Sequence, residues 1–143
     1  MKYPFTPDFR ITPHFRLEEF SCRHKYKPCP FCGGSVRLRD LPVIWDTAYE
    51  LETLRENLSL QMGAEVEIIL SDATRCLGRT AFISTCDPPW NSPHFRGFAI
   101  DIIARFVKSK ISIEPNSIAA LCRVVFFGRR ILLEEDHVHI DLT

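Results

Sequence analysis

The sequence predicts an α+β domain, an antiparallel sheet with helices packed on one face, and three observations carry that prediction. Two stretches, one opening at Asp40 and one at Pro115, combine helical apolar spacing with helix-start residues. Four runs of strand length lie outside them: Val66 to Leu70, Phe98 to Ile103, Arg130 to Leu133 and His137 to Leu142, the last two close enough in sequence to pair. No internal repeat or linker divides the chain, so the layers belong to one domain spanning residues 1–143.

In chain order, Asp40-Leu41-Pro42 opens the first helix, because proline suits a first helical turn. Leu41, Ile44, Trp45, Ala48, Leu51 and Leu58 then fall on one face, and Gly63 stands near the end. Val66 to Leu70 is a strand. Residues 76–93, rich in proline and serine, read as loop or short helix and as the rim of a cleft, with Trp90 a candidate wall. After a turn at Gly97, Phe98 to Ile103 is an apolar strand holding a single acid, Asp101; a buried carboxylate is costly unless it is paired or bound to metal. A lysine-rich turn follows, and Pro115-Asn116-Ser117 starts the second helix, through about Val124. His137-Val138-His139-Ile140-Asp141 alternates, so His137, His139 and Asp141 share one face while Val138 and Ile140 pack on the other.

A chain of 143 residues with 45% hydrophobic residues can bury a real core. Lys plus Arg equals Asp plus Glu at 18 each, so net charge points to no nucleic-acid partner, although Arg123, Arg129 and Arg130 form a local basic group. No run of about 20 apolar residues suggests membrane insertion. Met1-Lys2-Tyr3-Pro4 opens no secretory signal, so the expectation is a soluble monomer synthesised in the cytoplasm.

Two clusters hold three of the five histidines: Ser92-Pro93-His94-Phe95-Arg96-Gly97-Phe98-Ala99-Ile100-Asp101 and Asp136-His137-Val138-His139-Ile140-Asp141. A catalytic zinc site needs three protein ligands and one open position, and His94, Asp101 and His139 supply a fitting set. Either cluster alone is as well explained by an ordinary histidine or a turn acid. Their conjunction makes the case.

The pattern Ser-x-His-x-x-Gly-x-Ala-x-Asp, followed some forty residues later by Asp-x-x-His, resembles the zinc D-Ala-D-Ala carboxypeptidases and their relatives, which include D-alanyl-D-alanine dipeptidases, phage endolysins and the hedgehog signalling domain. The resemblance implies a hedgehog/D,D-peptidase-like fold, zinc on His94, Asp101 and His139, and Asp136 as general base. Glu134 and Glu135 stand beside Asp136, so its spacing from His139 alone singles it out. Upstream, Ser71-Asp72-Ala73-Thr74-Arg75 is similar to the family's Ser-Gly-Tyr-Arg segment, which implies that Arg75 faces the substrate and the developing oxyanion. Asp72-Ala73-Thr74 replaces the family's small and aromatic pair, which bears on substrate preference. Ile11 to Cys22 also resembles the start of the smaller members, so the likeness covers most of the chain.

The implied substrate is the peptide stem of bacterial peptidoglycan, cut as a carboxypeptidase or an endolysin-type endopeptidase. Such a product reaches the cell wall only if delivered, by phage lysis or with a virion. Zinc lowers the pKa of its water to about 7, and Asp136 then takes the proton and passes it to the leaving amine. Asp136 and His139 would lie on opposite faces of a regular strand, so the chain must turn or bulge between them. His137, beside the ligand, either hydrogen-bonds the substrate or orients the site.

Six cysteines are many for this length. Cys22-x-His24 and Cys29-Pro30-Phe31-Cys32-Gly33-Gly34 resemble part of a zinc knuckle, a candidate second, structural site through Cys22, Cys29, Cys32 and His24. Cys76, Cys86 and Cys122 read as buried or loop thiols. Two other functional classes follow: a binding module that keeps an inactive zinc site, and a zinc-knuckle protein that binds nucleic acid or protein. The second leaves the His94 and His139 clusters unexplained.

Overall fold

The computed structural model describes residues 9–75 and 92–143. A small amino-terminal layer comes first: β1 (Arg10–Thr12) pairs with β2 (Phe15–Arg16), a 3-10 turn covers Leu17–Phe20, and β3 (Arg23–His24) pairs with β4 (Lys27–Pro28). Then come α1 (Leu41–Met62), β5 (Val66–Asp72), the short α2 (Pro93–Arg96), β6 (Ala99–Phe106), α3 (Pro115–Val125), β7 (Arg130–Leu133) and β8 (Val138–Asp141). The expected α+β architecture with an antiparallel sheet is present. The 76–91 part of the expected cleft rim, including Cys76, Cys86 and Trp90, lies outside the described residues.

The main sheet runs β5-β6-β8-β7, with every neighbouring pair antiparallel. Its alternation sorts side chains cleanly. Val66, Ile68 and Leu70, Ile100, Ile102 and Ala104, and Val138 and Ile140 point to one side and join a single buried core with Ile44, Leu51, Leu54 and Leu58 of α1 and Ile118, Ala119 and Cys122 of α3. Each fully buried leucine there contributes roughly 1.5–3 kcal/mol of transfer free energy. The opposite face is left to Asp101, Ile103, His139 and Asp141.

The element boundaries differ from the sequence expectation in ways that packing explains. β6 continues to Phe106 because its partner β5 begins at Val66, and these two residues are in register; the lysine-bearing turn therefore comes after residue 106. In α1, Leu54 is fully buried and extends the stripe of Leu51 and Leu58, whereas Leu41 and Trp45 are only partly covered. Gly63 ends the helix in the left-handed conformation, φ 69°, which a side-chain-bearing residue adopts only with strain. At the other end, Asp40 is buried and its carboxylate accepts from Arg37 Nε at 2.6 Å. Among the described residues, no helix is long and apolar enough to cross a membrane.

Candidate metal centre

Sheet register assembles the site. Asp101 of β6 lies directly opposite His139 of β8, and on its other side opposite Asp72 of β5. The β5–β6 register shifts between Leu70 and Asp72, so Ser71 and Asp72 together oppose Asp101 in a β-bulge. Two carboxylates facing each other across strands repel unless each has its own cation or donor. Asp72 is served by Arg75, whose NH2 and Nε lie 2.6 and 2.8 Å from Asp72 Oδ2. Asp101 is served by histidines.

His94 arrives from α2, which begins at Pro93 and is followed by Gly97 as its cap. Its Nδ1–H donates to the Ala73 carbonyl at 2.9 Å, which fixes the tautomer and turns Nε2 toward Asp101 Oδ2, 3.3 Å away. His139 is anchored in the same manner from the other side. Its Nε2–H donates to Asp141 Oδ1 at 2.7 Å, and Nδ1 meets Asp101 Oδ1 at 2.8 Å. Both imidazoles are buried, with their rings edge to face at 5.1 Å.

The donor atoms of His94, Asp101 and His139 all lie within 4.8 Å of one another. In a tetrahedral zinc site with bonds of about 2.0–2.2 Å, such donors stand roughly 3.3 Å apart, a separation that lies inside this limit, so the trio is a candidate for a metal of that size. The anchored outer nitrogens strengthen the fit, because metal-binding imidazoles donate their second N–H to a carbonyl or carboxylate.

Charge is balanced by contact. Burial pushes the Asp101 carboxyl up, but hydrogen bonds from His139 and His94 outweigh it and hold the group well below the usual carboxylate range. Burial lowers the His139 pKa, and the flanking carboxylates of Asp101 and Asp141 more than reverse this, leaving it raised.

Asp136 sits in the bend joining β7 to β8, where the Glu134 N–H donates to the His137 carbonyl. The turn required between Asp136 and His139 is thus present. Asp136 is 88% exposed, and its Oδ1 accepts from His137 Nδ1 at 2.7 Å, a contact that draws its pKa down. His137 Nε2 in turn lies 3.7 Å from Asp101 Oδ1, so the pair connects solvent to the Asp101 carboxylate. Asp136 and His137 also line a cleft of about 500 Å³, with Tyr26, Ser71, Ile103 and Glu114 among its other walls.

Arg75 lies beside the trio, and its backbone N–H donates to the His94 carbonyl at 3.4 Å. Its guanidinium is held by Asp72 and by Ser92 Oγ at 3.3 Å, so its first role is to brace the His94 turn. Ser92 Oγ accepts that side-chain bond instead of capping α2. Sequence reasoning missed Arg37, whose NH2 reaches the Gly97 carbonyl at 2.7 Å and pins the same turn to the start of α1. No local signal marks a contact spanning sixty positions. Asp141 was placed on the His139 face by the strand alternation, but its bond to the His139 ring was not predicted.

A second group, Cys22, Cys29 and Cys32, also has its donor atoms within 4.8 Å of one another. His24, exposed on β3, is outside it. The structure therefore offers two candidate metal-binding groups. Comparisons with known proteins add no assignment: no protein-family model, no curated protein and no solved structure matches this chain.

Proposed function

We propose that this chain is a zinc-dependent peptidase that hydrolyses peptide bonds in the stem peptides of bacterial peptidoglycan. The observation that carries the reading is the His94, Asp101 and His139 trio, with both imidazoles anchored through their outer nitrogens, next to a cleft that Asp136 and His137 enter. The family resemblance of the two motifs supplies the substrate class. Zinc bound there supplies Lewis acidity toward a carbonyl and acidifies water.

The chain's own residues provide the rest. Asp136 accepts a proton at its carboxylate and returns it to the leaving amine. His137, hydrogen-bonded to Asp136, offers positive charge to a developing anion when protonated. Arg75 braces His94 and adds a guanidinium to the same region. Ile103 and Tyr26 give the cleft apolar walls for the aliphatic parts of a peptide.

A binding module of the same architecture is the second reading, and the exposure of Asp136 favours it, since an open carboxylate lacks the desolvation that usually tunes a general base. Zinc-loaded protein incubated with defined muropeptides, with products weighed by mass spectrometry, separates the two. The peptidase reading expects cleavage in the wild type and a roughly 10²- to 10⁴-fold loss of turnover in Asp136→Asn with zinc retained. Intact muropeptides with zinc-loaded wild type would leave the binding module.

A further inference from the structure

The amino-terminal cysteines stand outside the chemistry proposed above, yet they are closely arranged. Cys22 precedes β3 and Cys29 follows β4, and the hairpin between them turns through Lys25 and Tyr26 at positive φ. Its ends are tied by the Cys29 N–H to the Cys22 carbonyl at 3.2 Å and the Cys22 N–H to the Ser35 carbonyl at 2.9 Å. Gly34, φ 88°, passes so near Pro28 that an added Cβ would lie 3.2 Å from its Cβ. The backbone is folded to bring the three sulfurs together.

The surroundings suit thiolates. Backbone N–H groups of Phe31 and Ser35 point at Cys29 Sγ (3.4 Å) and Cys32 Sγ (3.5 Å). Ser35 is thus tied at both ends, its N–H to the Cys32 sulfur and its carbonyl to the Cys22 N–H. Around one zinc ion at about 2.3 Å, sulfurs stand roughly 3.8 Å apart, inside the 4.8 Å within which these three lie. A disulfide would consume two of the three and strand the third; all the described cysteines are free thiols.

We propose that Cys22, Cys29 and Cys32 bind a second, structural zinc ion as thiolates, and that this ion clamps the β3–β4 hairpin that carries Tyr26 into the cleft wall. Each thiol releases its proton to solvent on binding, and no electron transfer is involved. The fourth tetrahedral position is left to a further donor. This proposal is independent of the peptidase reading.

Cobalt(II) distinguishes the two sites, because only thiolate ligation gives an intense near-ultraviolet charge-transfer band. Added to the reduced, metal-free full-length chain, one equivalent of thiolate-bound cobalt should form and be displaced by zinc. The band should persist in His94→Ala and disappear in Cys29→Ser and in Cys32→Ser. Zinc added to His94→Ala should raise its thermal midpoint and change Tyr26 exposure, read by tyrosine nitration. Absence of the band in reduced wild type, its persistence in both serine variants, or a disulfide within the trio in protein purified without air would overturn the proposal. The wild-type measurement stands even if a serine variant fails to fold.

Discussion

Removing the Asp141 carboxylate tests whether the metal centre is built in advance by its outer hydrogen bonds. In Asp141→Ala, His139 Nε2 loses its acceptor at 2.7 Å, and with Asp101 the acceptor that remains the neutral ring keeps its proton on Nδ1. Nδ1 is the nitrogen facing Asp101, so the tautomer change blocks the lone pair that a metal needs. Loss of such an outer partner typically costs 10- to 100-fold in metal affinity, about 1.4–2.7 kcal/mol. The ion pair lost with Arg130, at 3.3 Å on an exposed side chain, adds little to folding stability. Zinc affinity should therefore fall, and the thermal midpoint of metal-free protein should fall as well, because buried His139 loses its 2.7 Å bond to Asp141. Titration against a competing chelator, followed through the imidazole resonances of His94 and His139, keeps this site apart from the cysteines. Asp141→Asn, which retains an acceptor oxygen, should lose less than Asp141→Ala. Equal zinc affinity in wild type and Asp141→Ala would refute the idea that the outer bond presets the ligand.

Other consequences are independent of metal. Gly97→Ala should lower stability by about 1–3 kcal/mol in a denaturant titration, because the new Cβ would lie 2.8 Å from Thr143 Oγ1, the atom that accepts the Phe98 N–H. Leu54→Ala removes a fully buried side chain of α1 and should cost about 2–5 kcal/mol by the same measurement. Cys122 predicts an alkaline effect: burial raises its pKa from the ordinary 9.0 to about 12, so the folded state keeps a proton that the unfolded chain gives up. Its contribution is complete below pH 9 and lost as pH rises toward 12, at up to about 1.4 kcal/mol per pH unit. Thermal scans of wild type and Cys122→Ala between pH 8 and 11 should thus converge as pH rises, and a constant gap would contradict the assignment.

Much of the fold was legible because its signals are local. Pro42 and Pro115 sit in the first turns of α1 and α3, Gly63 closes α1, and the alternation of residues 137–141 divides core from site as written. The lengths of β5 and β6 were not legible, since a strand continues as far as its partner does and Arg105 and Phe106 carry no signal of their own. The β1–β2 and β3–β4 hairpins escaped for a related reason: strands of two or three residues are too short to show a period. The donor residues could be named from type and spacing, but their meeting depends on register. A slip of one residue between β6 and β8 would turn His139 toward the core and take it away from Asp101.

That dependence explains why the contacts around the trio come from so many parts of the chain. Arg37 before α1, Ala73 after β5 and Arg75 all bond the His94 segment, while Asp141 holds His139 from the end of β8. The three candidate ligands occupy only two sheet strands and one short helix, and a four-residue helix such as α2 has too few internal bonds to hold a side chain still. Its position is therefore set by neighbours. A single carbonyl, that of Ala73, orients the His94 ring, and it lies just past the bulge that places Asp72 against Asp101. The bulge thus does two things at once: it turns the β5 end toward His94, and it brings in the acid that recruits Arg75 to the same turn. Substitutions in Asp72 and Arg75 should accordingly act on His94 placement before they act on any substrate.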